Sequence, residues 1–155
     1  KNELILQKCT EIGIDRFIPV KTKNCIPKLN NLNNKISRWK KIIKETSMQS
    51  CREKIPELND VILFENIFNY SYNADEKKIF GYISKRAKNL FDIIKKNKDL
   101  DYISLLIGPE GDLSKDEINL LEKNKWEGVY LSPYIFKSET AAIYFSSIIF
   151  FNYCK

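Results

Sequence analysis

The sequence contains no histidine, which removes the commonest metal ligand and the commonest general base of proteins. Its cysteines include no Cys-x-x-Cys pair of the kind that binds zinc. We therefore expect no metal site, and we expect thiols that stay reduced, as in a cytosol-like compartment. The four cysteines are Cys9, Cys25, Cys51 and Cys154.

Glycine is also scarce, and the five glycines form neither of the common nucleotide-binding motifs. The Gly-x-Gly-x-x-Gly fingerprint is absent, and so is the Gly-Lys-Ser/Thr of a phosphate loop. These absences argue against an enzyme that holds a phosphate ligand through either motif. The most apolar run, residues 141–153, is too short to cross a bilayer, so we expect a buried helix and no membrane partner.

What is present is the composition of one globular domain. Hydrophobic residues make up 43% of the 155 residues and charged residues 30%, a balance that supports a packed core. The net charge is +6, from 26 Lys and Arg against 20 Asp and Glu. Such an excess permits a polyanionic partner such as RNA, although lysine-rich surfaces are often simply solvated.

Short apolar runs alternate with amphipathic segments, which predicts an α/β fold with a parallel-type sheet and flanking helices. One predicted helix has Leu4, Ile5, Cys9 and Ile12 on its apolar side. Another has Leu90, Phe91 and Ile94 facing inward. Helices are predicted at residues 3–12, from 36 to before 56, 87–96, from 114, and from the segment 135–142 onward. Strands are predicted at 17–20, 61–64, 78–83, 103–107 and 128–131, and an Asn-rich loop at 28–35.

Residues 103–142 contain two strand-to-helix loops close together. If their strands are parallel neighbours, both loops open on one edge of the sheet, where open α/β sheets bind ligands. In the first loop, Gly108 and Gly111 allow a tight turn and close approach of a ligand. Ser114 and Glu117 fit a capping box that starts the next helix. Gly-Pro-Glu-Gly is equally consistent with a plain turn.

Four blocks of sequence, in order, carry a resemblance to a known family: residues 3–13, 38–56, 106–111 and 138–141. The third block reads Leu-Ile-Gly-Pro-Glu-Gly and the fourth reads Ser-Glu-Thr-Ala. Together they closely resemble the RsmE family, the 16S ribosomal RNA uridine-N3 methyltransferases of the SPOUT superfamily. The resemblance extends along nearly the whole chain.

The resemblance implies a SPOUT fold with a deep trefoil knot near the C-terminus, and a symmetric homodimer. It implies small-subunit ribosomal RNA as the partner, in the cytoplasm or in an organelle with bacterial-type ribosomes if a leader peptide was removed. The family carries a β-barrel RNA-binding domain ahead of the segment that starts here at Lys1. We therefore expect residues 1–155 to be the SPOUT methyltransferase domain alone.

The resemblance also implies S-adenosylmethionine as the cofactor, held by three loops. For three apolar residues of these loops, Ile107, Leu131 and Ile135, packing in the protein core explains the residue type as well as contact with the cofactor does. The implied first loop contains Tyr82, Ile83 and Ser84; the second contains Ile107, Gly108, Pro109 and Gly111; the third contains Leu131, Ser132, Pro133 and Ile135, with Thr140.

Methylation of uridine N3 requires removal of its proton, and without histidine Glu139 is the candidate base, with Lys137 beside it. The dipole of the final helix favours the charged form of Glu139, which makes it a weaker base. Glu139 could equally orient the uracil or simply favour the helix end. Candidate RNA contacts, which could also be ordinary surface residues, are Glu11, Glu45, Gln49 and Arg52.

The chain departs from the family pattern at several positions. The family usually has Gly-Pro-Arg where this chain has Ser132, Pro133 and Tyr134. The family also usually has arginine at the position of Lys137 and near the position of Asn24. Arginine and lysine are not equivalent at bidentate phosphate or base contacts. Two functions therefore stay open: an active methyltransferase, or a SPOUT-fold RNA-binding module with weak or lost catalysis.

Overall fold

The computed structural model describes residues 1–25, 32–70, 75–97 and 100–153. Strands and helices alternate along the chain, which confirms the predicted α/β fold with parallel strands and flanking helices. The elements are α1 (Asn2–Ile12), β1 (Arg16–Phe17), β2 (Val20–Lys21), α2 (Leu32–Gln49), β3 (Glu57–Leu58), β4 (Ile62–Leu63), a 3₁₀-helix (Phe64–Asn69), β5 (Lys77–Gly81), β6 (Lys88–Asn89), α3 (Leu90–Lys96), β7 (Ile103–Leu106), α4 (Lys115–Lys123), β8 (Glu127–Tyr130) and α5 (Ser138–Tyr153).

The main sheet has four strands in the order β6-β8-β5-β7, and every neighbouring pair is parallel. Two small parallel pairs, β1 with β3 and β2 with β4, lie outside it. Because parallel strands end at the same edge, the loops after β5, β7 and β8 open on one side of the main sheet. This edge is the one that the sequence predicts for ligand binding.

The last strand of this sheet lies between two strands that are consecutive in sequence. Gly81 at the end of β5 and Lys88 at the start of β6 both pair with Val129 of β8, from opposite sides. The connection 82–87 therefore crosses from one side of β8 to the other, at the level where β8 is about to end. The chain that leaves β8 starts beside this crossing.

Both faces of the sheet are covered, as a parallel sheet requires. Ile79 and Phe80 are consecutive in β5, so their side chains point to opposite faces. The Phe80 face packs against α4 and the 3₁₀-helix, whereas the Ile79 face packs against α3 and α5. A third cluster, Leu6, Trp39 and Ile43, joins α1 to α2.

Several predicted boundaries were wrong. Helix α2 begins at Leu32, so the last part of the predicted Asn-rich loop is helical, and residues 28–31 lie outside the described ranges. The predicted strand 17–20 is split into β1 and β2. Proline has no N–H to donate, and Pro19 instead accepts a hydrogen bond from the Ile62 N–H at 3.0 Å. The strand 61–64 gives way to the 3₁₀-helix at Phe64.

The predicted faces of two helices also need correction. Helix α3 begins at Leu90, not at residue 87, because the Asn89 side chain caps it by accepting from the Phe91 N–H at 2.9 Å. Phe91 is 45% exposed, and Ile93 packs inward instead. In α1, Leu4 is 42% exposed, whereas Leu6 and Cys9 face the core.

The predicted capping box is confirmed. The Ser114 hydroxyl accepts from the Glu117 N–H, and the Glu117 carboxylate accepts from the Ser114 N–H, which is the reciprocal capping box. Gly13 follows α1 with φ of +126°, a conformation that side-chain-bearing residues rarely adopt. Within the described ranges, no helix has the length and apolar character needed to cross a membrane.

Candidate active site

Three loops meet at the carboxyl edge of the main sheet: residues 82–87, 107–114 and 131–137. The Ser138 hydroxyl, at the start of α5, donates to the Gly108 carbonyl at 3.0 Å and ties the third loop to the second. The Tyr82 N–H donates to the Val129 carbonyl at 2.9 Å and ties the first loop to β8. The structure thus brings together the three segments predicted to hold the cofactor.

The second loop is compact. The Asp112 N–H donates to the Pro109 carbonyl at 2.9 Å, and Asp112 itself has φ of +59°. A Cβ at Gly108 would lie 3.3 Å from Leu113 Cγ, and a Cβ at Gly111 would lie 3.2 Å from Asn24 Cβ. Close packing within the protein therefore explains both glycines without a ligand, and their contact with a cofactor stays a prediction.

The segment before α2 braces this loop from outside. The Asn24 amide donates to the Gly111 and Asp112 carbonyls, at 3.0 Å each. The buried Glu117 carboxylate accepts from the Lys23 N–H at 2.8 Å and from the Ser114 N–H at 2.8 Å. Asn24 and Glu117 therefore fix the backbone of the loop. The capping motif pointed to Glu117, but no sequence signal pointed to its contact with Lys23.

The second loop carries a charged rim. Lys1 and Glu110 form an exposed ion pair. The hydrogen bond to Glu110 raises the pKa of Lys1, with a smaller contribution from the charge of Glu139. The hydrogen bond from Lys1 lowers the pKa of Glu110, and Lys137 contributes less. Both predicted catalytic residues, Lys137 and Glu139, therefore act electrostatically on this rim.

Glu139 stands in the first turn of α5, where the helix dipole favours a negative charge. Its Oε2 atom is buried and has no hydrogen-bond partner among the described residues. Leaving a buried acceptor unpaired costs free energy, so such an atom calls for an explanation. A donor that arrives with a ligand would satisfy it.

The predicted cofactor residues differ in their surroundings. Ile107 and Leu131 are half-buried and pack against the Ile79-face cluster, so core packing accounts for both. Ile135 is 87% exposed, so the core-packing explanation is wrong for this residue. Ile83 is 47% exposed in the first loop. Apolar surface thus remains accessible beside the loops.

The remaining cofactor candidates shape the loops themselves. The Tyr82 ring stacks on Phe80 with centroids 5.8 Å apart. The Ser84 hydroxyl accepts from the Arg86 N–H, and the Ser132 hydroxyl accepts from the Tyr134 N–H, both at 3.1 Å. Pro133 and Thr140 are exposed.

The predicted RNA residues lie away from these loops, on or after α1 and α2. Arg52 is largely committed to the protein, because its guanidinium donates to the Thr10 carbonyl at 2.8 Å and the Ile14 carbonyl at 3.0 Å. Glu11 pairs with Lys8 at 2.9 Å. Glu45 and Gln49 line an open groove between α1 and α2. The structure therefore gives Arg52 a bracing role at the end of α1.

The described part of the chain contains no group of three or more His, Cys, Asp or Glu side chains placed to hold a metal ion. Cys9, Cys25 and Cys51 are free thiols, and Cys154 lies outside the described ranges.

Comparison with known proteins assigns a family to this arrangement. The family model described as RNA methyltransferase domain matches residues 1–150. The chain is 34% identical over 143 residues to ribosomal RNA small subunit methyltransferase E of Mesomycoplasma hyopneumoniae, covering 92% of this chain and 60% of that protein. It is 33% identical over 155 residues to the Bacillus subtilis protein of the same name, covering 96% and 60%. These matches confirm the resemblance to the RsmE family.

A solved structure agrees with the sequence relatives. A putative methyltransferase from Legionella pneumophila, in complex with the cofactor S-adenosylmethionine, superposes with a TM-score of 0.87 at 27% identity, covering 96% of this chain and 60% of that one. The chain thus spans about 60% of the length of the proteins that it matches.

Proposed function

The chain belongs to the RNA methyltransferase domain family, and we propose that it transfers a methyl group from S-adenosylmethionine to N3 of a uridine in small-subunit ribosomal RNA. The observation that carries this proposal is the meeting of three carboxyl-edge loops beside the unpartnered carboxylate of Glu139. The names of the relatives support a ribosomal RNA substrate. The resemblance to the RsmE family supplies the uridine N3 position.

The residues at the three loops fit this cofactor. S-adenosylmethionine supplies an electrophilic methyl group on a cationic sulfonium and also carries an ammonium group. The unpaired Oε2 of Glu139 offers a buried acceptor for such a cation or for an N–H donor. Accessible apolar surface at Ile83 and Ile135, with Ile107 and Leu131 behind, suits the face of an adenine ring.

The chemistry on the RNA side needs a proton acceptor and a positive charge. Glu139 accepts the N3 proton of uridine, or orients the uracil by accepting that N–H as a hydrogen bond. Lys137, two residues earlier, stabilises the negative charge that develops on the uracil oxygens when the proton leaves. The brace from Asn24 keeps the second loop in place while both groups act.

This brace gives the first testable expectation. The Asn24→Ala variant should bind S-adenosylhomocysteine up to about thirty-fold more weakly, because its loop loses two hydrogen bonds worth about 1 kcal/mol each. Calorimetry measures this affinity. Asn124→Ala is the matched control, since it removes an amide-to-carbonyl hydrogen bond of 2.8 Å at the end of α4, away from the loop. Equal affinity of the Asn24 variant and the parent would contradict the bracing role.

We also propose that residues 1–155 form one SPOUT methyltransferase domain with a deep trefoil knot. The strand order supports this, because the connection 82–87 crosses beside β8 where the chain leaves toward α5. The matched proteins are longer than this chain, which leaves room in them for a separate RNA-binding domain. For this protein, such a β-barrel domain is part of the proposal.

A homodimer is the third part of the proposal. Helix α5 carries mostly apolar residues after its first turn, yet Tyr144 is 44% exposed and Phe151 is 86% exposed. The third loop adds exposed Tyr134 and Ile135. Exposed apolar surface of this kind is typical of subunit contacts.

Phe151→Glu should therefore convert the protein from dimer to monomer at micromolar concentration, because it places a charge in the contact surface. Light scattering reports the mass. Ile55→Glu, at another exposed apolar residue, is the control and should leave the mass unchanged. A parent protein that is already monomeric would refute the dimer.

An RNA-binding module without catalysis is the second candidate. It is favoured by Tyr134 and Lys137, which stand where the resembling family has arginine, and by Asn24, whose amide is used inside the protein. The two candidates are separated by measuring transfer of labelled methyl from S-adenosylmethionine to small-subunit ribosomal RNA that lacks the modification. Incorporation supports the enzyme. Cofactor and RNA binding without incorporation support the module.

A further inference from the structure

The second and third loops follow strands that are not neighbours in the sheet. The order β6-β8-β5-β7 places β5 between β7, which precedes the second loop, and β8, which precedes the third. Adjacent strands lie about 4.8 Å apart, so the third loop has to span about 10 Å, past the end of β5, to reach the second loop. Contact between these two loops therefore depends on how the chain is held after this crossing.

The crossing is closely packed over the end of β5. Gly81 is the last residue of β5, and a Cβ built there would lie 3.2 Å from Cδ1 of Ile107 and 3.8 Å from the Phe145 ring. Ile107 belongs to the second loop and Phe145 belongs to α5. The second loop and α5 therefore meet above β5, and the hydrogen bond between Ser138 and Gly108 joins the same two parts of the chain.

The hydroxyl of Ser138 is used differently from that of Ser114, the other serine at a helix start in this site. Ser114 caps its own helix, because its hydroxyl accepts from the Glu117 N–H. Ser138 instead donates its hydroxyl proton to the Gly108 carbonyl at 3.0 Å, and that carbonyl lies 30 residues earlier in the chain. The Ser138 side chain thus fastens α5 to the second loop.

This fastening is transmitted to Glu139, the next residue. The Ala141 N–H donates to the Lys137 carbonyl at 2.9 Å, which closes the first turn of α5 around Ser138 and Glu139. The Oε2 atom of Glu139 has no hydrogen-bond partner among the described residues. The backbone of the helix start therefore holds this carboxylate in place, without help from a hydrogen bond to Oε2.

We propose that Ser138 is a positioning residue for methyl transfer: its hydrogen bond to the Gly108 carbonyl fixes the first turn of α5 against the second loop and thereby holds Glu139 at the substrate. This inference rests on the proposed function for the role of Glu139. Placement matters because a displacement of about 1 Å at a reacting group can slow a reaction about a hundred-fold.

Steady-state kinetics of methyl transfer tests the role of the hydroxyl. Ser138→Ala should lower kcat about ten-fold and change the KM values for S-adenosylmethionine and RNA less than about two-fold, because a misplaced Glu139 affects the chemical step more than binding. Ser138→Thr keeps a hydroxyl and should restore kcat to within about two-fold of the parent.

Ser147→Ala is the matched control for these variants. The Ser147 hydroxyl donates to the Ile143 carbonyl at 2.8 Å within the same helix, so this variant loses a serine hydrogen bond of α5 without touching the second loop. It should have the parental kcat. A parental kcat in Ser138→Ala, an equal loss in Ser138→Thr, or a loss confined to KM would each overturn the proposal.

A double variant tests whether Ser138 acts through Glu139. Substitutions at residues that work through one another are not additive. In the Glu139→Gln background, Ser138→Ala should therefore slow transfer by less than about two-fold. A further loss of about ten-fold in that background would show that Ser138 acts independently of the carboxylate, and the proposal would be wrong.

Hydrogen exchange tests the fastening without any assay of activity. In Ser138→Ala the first turn of α5 and the second loop should open more often, so the Ala141 and Asp112 amides should exchange about ten-fold faster. Ser147→Ala should leave both amides at the parental rate. Unchanged exchange in Ser138→Ala refutes the fastening even in an active enzyme. A parent that transfers no methyl group refutes the proposed function, and faster exchange at both amides would then still support the fastening.

Discussion

Glu139→Gln is expected to slow methyl transfer about a hundred-fold, the lower end of what positioned acid–base groups contribute. The variant keeps the shape of the side chain and its place in the first turn of α5. It replaces the carboxylate, whose Oε2 atom has no partner, by a neutral carboxamide, which is a weaker hydrogen-bond acceptor and cannot act as a base. Binding of RNA should change little, because one of many contacts is altered.

The size of the loss separates the two ways in which Glu139 could act. If Glu139 removes the N3 proton, the glutamine variant has no base, and the rate should fall by the full factor of about a hundred. If Glu139 only orients the uracil, the glutamine amide oxygen still accepts the N3–H, and the rate should fall far less. In both cases the parental rate should fall on the acidic side, where the carboxylate becomes protonated. Glu122→Gln, at an exposed position of α4, is the control and should keep the parental rate and profile. A Glu139→Gln enzyme with the parental rate would remove this residue from the mechanism.

Gly13→Ala is expected to cause the largest loss of stability. Gly13 has φ of +126°, and a Cβ there would lie 2.1 Å from Cε2 of the Phe150 ring. The left-handed conformation costs a side-chain-bearing residue about 1–2 kcal/mol. The Phe150 ring is 38% exposed and can move toward solvent, so its displacement from the α1–α5 contact adds only about 1 kcal/mol. Urea denaturation should therefore show a loss of about 2–3 kcal/mol, a large part of the stability of a typical domain.

A double variant distinguishes the steric part from the backbone part. Phe150→Ala removes the ring that the new Cβ would strike. Adding Gly13→Ala to that background should cost only the conformational part, about 1–2 kcal/mol. If the cost of Gly13→Ala is the same in both backgrounds, the contact with Phe150 does not limit this position.

Local patterns were readable from the sequence because their causes lie within a few residues. The Ser114–Glu117 capping box joins residues three apart, and Gly13 follows the last periodic residue of α1. The alternation of strands and helices gave the parallel sheet, and parallel strands necessarily open their loops on one edge. The shared edge of the second and third loops therefore followed from the sequence pattern, whereas the first loop was identified only through the family resemblance.

Long-range contacts were not readable in the same way. Nothing near Gly13 indicates that Phe150 lies over it, and nothing near Asn24 indicates the carbonyl of Gly111. The position of β8 between β5 and β6 also depends on how distant segments pack. Arg52 illustrates the consequence. The family resemblance suggested that it contacts RNA, whereas its guanidinium donates to backbone carbonyls of α1 and of the turn after it.

The nature of the modified base tests the central claim most directly. Small-subunit ribosomal RNA that lacks the modification is incubated with the protein and S-adenosylmethionine and is then digested to nucleosides. Mass spectrometry compares the methylated nucleoside with a 3-methyluridine standard. The account predicts 3-methyluridine at one position, formed by the parent protein and about a hundred-fold more slowly by Glu139→Gln. A methyl group on another base or on ribose, or no methyl group despite bound cofactor, would contradict it.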